Sequence, residues 1–276
     1  MYAVTEDRIT ELEDMRRRLG GALAALAALT AFAASAQTLR ATYAISLLGL
    51  PIGTGFVKAE ITPKSYSVEG RAKLNALASL VSNSRGASDG HGAILGRHIS
   101  PATFATTAAS AHSTRTIRMA LKDNAVVAVD ISPPFAEHPD RVPLSPADMR
   151  GVIDPVGAFV FPAPAVGPAV SPAACERTLP IFDGYTRFDL KLSYAGEKRV
   201  KTKGYNGPVA MCNVRYAPIA GHRRDRAATK YMEENRDVQI WLAPVEGTGA
   251  LVPFLISIKT MVGVLAIEAT DFQVSK

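Results

Sequence analysis

The chain has 276 residues, 47% hydrophobic and 20% charged, with a formal net charge of +6 and two cysteines. This is enough chain for one large or two small cores. The positive charge is spread along the chain. Its one cluster, His222-Arg223-Arg224-Asp225-Arg226, lacks the aromatic interleaving of a single-strand groove, which argues against nucleic acid as a partner, and it reads as a solvated basic loop.

The N-terminal region reads as an address. Arg16, Arg17 and Arg18 precede an apolar run from Leu19 to Phe32, and Ala34-Ser35-Ala36 follows. That is the order of a cleavable export signal, with the cut expected after Ala36. The apolar run is about 14 residues, short of the roughly 20 that span a bilayer core. Residues 1–14 are acidic and polar, and Met15 stands directly before the arginines as an alternative start. No cysteine follows the run, so no lipid anchor is expected there. The expected organisation is an N-terminal extension and signal over 1–36 and one β-rich periplasmic domain over 37–276. For Cys175 and Cys212, an even count in an exported chain reads as a disulfide. The alternatives, a thiol nucleophile or a metal ligand, lack neighbours at ligand spacing.

Along the first half, period-two alternation predicts strands. Leu39, Ala41, Tyr43, Ile45 and Leu47 form one apolar row. A turn at Leu50–Gly55 is followed by a return over 56–61, a turn at Pro63-Lys64-Ser65 and a second row of Tyr66, Val68, Gly70, Ala72 and Leu74. Asn75–Val81 fits a helical turn or a buried strand. Further strands are expected near 99–107, 115–122 and 125–131, the last two split by an Asp123-Asn124 turn.

Ten of the 18 prolines lie between Ser132 and Pro172, which excludes a central paired strand over most of that connector, 132–172. Ser145-Pro146 and Asp154-Pro155 each offer a cap residue before a proline at the first helical position, so two short helices are expected there. Strands resume at 177–182, 186–193, 198–205, 208–217, 238–243, 252–259 and 263–273, with a polar helix or ordered loop at 225–235. The fold class expected is mainly all-β: long antiparallel strands forming a curved open barrel or wrapped half-barrel. The connector either joins two sub-sheets or lies across the mouth of one.

With these residues placed, the chain resembles the bacterial domain-of-unknown-function family 3108. The resemblance rests on Tyr43 with Gly49-Leu50-Pro51-Ile52-Gly53, on Gly96 with Pro101-Ala102-Thr103-Phe104, on Asp154-Pro155 and on Phe182-Asp183-Gly184. It continues through Cys212 ahead of Tyr216, Trp241-Leu242-Ala243, Thr260 and Gly263. It implies an exported envelope protein with a long-stranded curved sheet, similar in style to periplasmic lipid-binding folds, and it implies no activity. Each of these residues also has a backbone explanation. Gly53, Gly184 and Gly263 read as turn or close-approach glycines, Asp183-Gly184 as a hairpin turn, Asp154 as a cap and Trp241 as core.

One catalytic pattern occurs. Gly86-Ala87-Ser88-Asp89-Gly90 satisfies G-x-S-x-G, with His91 next, but a nucleophile elbow needs a strand, a sharp turn and a helix, and the following residues are poor helix formers. The five histidines show no paired ligand spacing. Asp183 and Asp189 as a carboxylate pair are outweighed by a turn aspartate and a strand aspartate. No catalytic residue, metal or other cofactor is expected. The expected function is a non-enzymatic periplasmic envelope protein that binds a lipid, a lipidated protein or another hydrophobic envelope component, with an anionic membrane surface as a further partner. The alternatives are a structural module binding peptidoglycan or an outer-membrane complex, and an envelope hydrolase using Ser88. The sequence does not address oligomeric state.

Overall fold

The computed structural model describes residues 36–75 and 84–276. The expected export signal lies outside the described residues apart from Ala36, as does the ambiguous stretch at 75–81 from residue 76 onward. Ser35–Lys276 form one compact unit.

Two antiparallel meanders build one sheet. The first contains β1 (Gln37–Leu47), β2 (Leu50–Ile61), β3 (Ser65–Leu74), β4 (Ser84–Leu95), β5 (His98–Ser110), β6 (Thr114–Lys122) and β7 (Ala125–Ser132). The second contains β9 (Arg177–Phe182), β10 (Arg187–Thr202), β11 (Tyr205–Ala220), β12 (Val238–Val245), β13 (Ala250–Thr260) and β14 (Gly263–Ser275), and the short β8 (Phe161–Pro162) pairs with β13. The sheet order is β7-β6-β5-β4-β3-β2-β1-β14-β13-β12-β11-β10-β9. The first and last of the described strands therefore meet at the centre of the sheet, β1 on β14 from Thr38↔Ser275 to Leu47↔Leu265. The edges β7 and β9 are the two strands that the connector joins. The result is a curved all-β sheet that does not close on itself.

Period two produces the core row expected for β1: Leu39, Ala41, Tyr43, Ile45 and Leu47 are all buried. Across the pairing they meet Phe272, Ala269 and Ile267. Phe254, Phe272 and Tyr205 then form an aromatic cluster with centroids 5.3–6.2 Å apart. Each fully buried side chain of this size stabilises the fold by about 1.5–3 kcal/mol. β10 is one strand where two were expected, because a register shift between Tyr194 and Gly196 absorbs the interruption without ending the pairing with β11. The Gly-rich stretch around Ser88 is a full strand, β4, paired on both sides.

The connector does two jobs. Residues 150–153 lace the gap between the sheet edges. Arg150 bridges Ala125 and Ile153 bridges Ile181, Val152 N donates to Asn124 O at 2.9 Å, Ile153 N donates to Pro180 O at 2.8 Å, and Phe182 N donates back to Ile153 O at 2.9 Å. Beyond this lacing, the 3-10 turn Gly157–Phe159 enters the barrel and supplies a floor at the end that holds Gln37, Ile61 and Asn124. The short helices expected after Ser145 and Asp154 are thus 3-10 turns, at Pro146–Met149 and Gly157–Phe159. Further on, β8 and helix α1 (Pro172–Cys175) pack on the outside of the second meander. Phe161, Val170 and Cys175 there join Leu192, Cys212, Leu242 and Leu251 in a separate cluster. Helix α2 (Ala227–Glu234) lies where a helix or loop was open.

Candidate functional site: the barrel interior

Among the described residues the interior of the first meander is not filled, for a reason visible in its strands. On the inward row of β2, β3 and β4, Gly55, Gly70, Ala72, Gly86 and Ser88 stand where β1 carries Tyr43 and Ile45. Two linked cavities result. One, about 280 Å³, lies between Tyr43, Ile45, Gly55, Gly70, Gly86, Phe159 and Ile267. The other, about 380 Å³, is bounded by Val57, Gly70, Ser88, Phe104, Ile117, Val156 and Phe159. Val57, Gly70, Ser88 and Phe159 line both. A Cβ on Gly70 would meet nothing closer than Ser88 O at 3.8 Å, and one on Gly86 nothing closer than Thr107 O at 3.8 Å. Backbone crowding therefore does not require glycine at either position, and each absent side chain leaves open space.

The floor is held by Asp154. This fully buried residue accepts from Val156 N at 2.8 Å and Gly157 N at 2.9 Å through Oδ1, the cap foreseen for the Asp-Pro pair. Its Oδ2 and the Tyr66 hydroxyl have no hydrogen-bond partner among the described residues. Burial pushes the Asp154 carboxyl up from its ordinary value and the Tyr66 phenol up likewise, with the Asp154 charge adding to the effect on Tyr66. In the upper wall, the buried Tyr43 hydroxyl donates to Pro253 O at 2.7 Å, tying β1 to β13.

A polar cleft adjoins the second cavity, sharing Ile117 and Asp183 with it. It holds about 700 Å³ between Arg115, Phe135, His138, Tyr185, Tyr216, His222, Arg223 and Arg226. Two of its cations are committed. Arg115 donates to Pro133 O at 2.9 Å, and Arg223 pairs with Asp140 at 3.0 Å, which holds the Asp140 carboxyl below its ordinary range. The basic cluster at 222–226 is thus partly structural.

The structure places the residues singled out from sequence as follows. Cys175 and Cys212 are disulfide-bonded with Cα atoms 5.4 Å apart, both fully buried. Ser88 sits mid-strand in β4, opposite Gly70 and Thr106, its hydroxyl 2.7 Å from Thr106 Oγ1. Among the described residues no strand-to-helix turn surrounds it. Asp89 and His91 project from the opposite face of the strand, and His91 Nδ1 lies 2.8 Å from Thr103 Oγ1. Asp183 caps its own turn, accepting from Tyr185 N at 2.8 Å and from the Thr186 backbone and hydroxyl at 2.6 Å, while Asp189 pairs with Arg187 at 2.7 Å. Among the described residues no group of His, Cys, Asp and Glu could hold a metal, and no helix is long and apolar enough to cross a membrane. Ser88 stands instead, with Gly70 and Gly86, on the wall of a cavity. The available signal was the small residues on the inward row of β3.

No curated protein matches the chain. Among solved structures it is similar to the beta-barrel-like protein of domain of unknown function DUF1849 from Brucella abortus. The identity is 10% and the TM-score 0.47, over 87% of this chain and 98% of that one. Residues 40–270, nearly the whole described sheet, match the family described as protein of unknown function DUF3108, and the chain belongs to that family.

Proposed function

We propose that this is a non-enzymatic protein of the cell envelope that holds an acyl chain, or a hydrophobic group of similar girth, inside its barrel. The observation that supports the reading is the stripped inward row. Gly55, Gly70, Ala72 and Gly86 leave linked apolar cavities of about 280 and 380 Å³ beside Tyr43, Ile45, Val57 and Phe104, together within the range of small-molecule sites. A scaffold would gain by filling this space, since each buried methylene stabilises by about 0.8 kcal/mol. The buried disulfide favours an oxidising compartment, in keeping with export to the periplasm.

The test is native mass spectrometry of the protein as isolated, with organic extraction, alongside Gly70→Val and Gly86→Val. The wild type is expected to carry extractable apolar mass. The valine variants are expected to fold and to lose that mass, because their side chains enter the cavity and suit a strand. A bare polypeptide mass for the wild type that stays bare after incubation with fatty acid would overturn the reading.

A further inference from the structure

We infer that the end of the barrel opposite the floor is a docking surface for an anionic lipid bilayer, with two hairpin tips as its apolar contacts. β1 and β2 are joined by the two-residue loop Leu48-Gly49, with both φ angles positive (55° and 78°), a type I′ turn. Asn, Asp and Gly suit the first position of such a turn, and leucine is disfavoured there. The same chain follows the rule at the opposite end, where the β6–β7 loop is Asp123-Asn124 with φ of 51° and 57°. The strained Leu48 is also 58% exposed, so burial does not repay its conformation. Strain of this kind, where core packing gives no reason for it, points to use of the exposed side chain.

The neighbouring tip repeats the pattern. In the β13–β14 turn, Met261 is 61% exposed and Val262 58%. The tips touch: Leu48 N donates to Val264 O at 2.9 Å, and the Leu48 side chain lies over the Cα of Gly263, where any Cβ would collide with it. With Leu50, 52% exposed, they make one apolar prominence at the rim. Below it lie Ile45, Leu47, Ile52 and Ile267, and Ile45 and Ile267 line the first cavity, so the prominence is continuous with the interior.

Charge selects the partner. Along the outer face below the tips, four and six residues down β2 from Leu50, Thr54 pairs with Lys73 and Phe56 with Arg71, and Lys73 pairs with Arg85. Two cations directly opposite each other destabilise a sheet, and none of Arg71, Lys73 and Arg85 has an ion-pair partner among the described residues. In this row Glu268 lies three strands from Lys73 through Ala44 and Thr54, about 14 Å away at normal strand spacing. Protruding apolar side chains edged by unpaired cations match a headgroup layer over hydrocarbon. The contact does not depend on what the interior holds.

The test is vesicle flotation of the full chain with phosphatidylcholine alone and with phosphatidylcholine plus phosphatidylglycerol. The protein is expected to float with the anionic vesicles and to be released by salt. Leu48→Asn combined with Met261→Ser should weaken flotation by about tenfold or more while keeping the wild-type melting temperature, since asparagine suits the turn. Lys73→Glu with Arg85→Glu should lose about tenfold or more on anionic vesicles. Gly86→Val should float like wild type, separating docking from cavity occupancy. Failure of the wild type to float, or flotation unchanged in the tip variant, would overturn the proposal. So would sedimentation showing that the tips pair two copies of the chain.

Discussion

Gly184 rests on Ile117: a Cβ at this glycine would collide with Ile117 Cγ2, and φ here is +95°. The contact joins the β9–β10 turn at one edge of the sheet to β6 near the other, with Met119 and Val129 also 3.6 Å from the same point. Gly184→Ala therefore meets both a left-handed backbone and a filled space. It should destabilise by about 1–3 kcal/mol, read as a lower urea midpoint. Ile117→Ala opens the space, so in a double-mutant cycle the two changes should cost less together than their sum.

At the barrel floor, folding places the Asp154 carboxyl and the Tyr66 hydroxyl against Gly157, whose Cβ would lie 2.8 Å from Tyr66 OH and 3.0 Å from Asp154 Oδ2. Burial raises the Asp154 pKa from 3.8, so the folded protein holds this proton more tightly than the unfolded chain. The stability from this group is complete below pH 3.8 and is lost as pH rises through the folded-state value. Asp154→Asn keeps the Oδ1 cap without the charge. Its melting temperature relative to wild type should rise as pH goes from acid toward neutral, whereas Asp154→Ala should lose about 1 kcal/mol of capping. A flat difference between Asn and wild type across that range would contradict this account.

Tyr66→Phe removes a hydroxyl that makes no hydrogen bond among the described residues. Thermal melts should shift by less than the equivalent of about 1 kcal/mol. Tyr43→Phe removes the 2.7 Å bond to Pro253 O and leaves a buried carbonyl short of a donor. It should destabilise by about 1–3 kcal/mol.

The Cys175–Cys212 bridge closes a loop with a sequence separation of 37. On the chain-entropy account its loss costs about 4 kcal/mol. Cys175→Ala with Cys212→Ala, or reduction of the wild type, should lower the urea midpoint accordingly. α1 and β8 should lose hydrogen-exchange protection before β1 and β14, since the bridge fastens the outer layer of the second meander.

Ser88→Ala should leave the fold intact. Thr106 Oγ1 keeps its 3.2 Å bond to Ala87 O, so the loss is under about 1 kcal/mol. Esterase substrates turned over by wild type and not by this variant would revive the nucleophile reading that the mid-strand position of Ser88 disfavours.

Local chemistry determined much of this molecule from its sequence. The alternation of Leu39 through Leu47 specifies a half-buried strand, Asp123-Asn124 specifies a turn, Asp154-Pro155 specifies a cap, and prolines bar the connector from the sheet centre. Each of these signals acts within a few residues. The tertiary structure decided what depends on distant pairing. That β1 lies on β14 is a contact between Thr38 and Ser275, and strand periodicity carries no information about which strand a neighbour will be. Hence the connector's place at the seam and floor could not be read from its composition. The cavity has the same origin. Gly55, Gly70 and Gly86 are ordinary strand glycines in sequence, and only the register that sets them beside one another on one inward face turns three missing side chains into a single space.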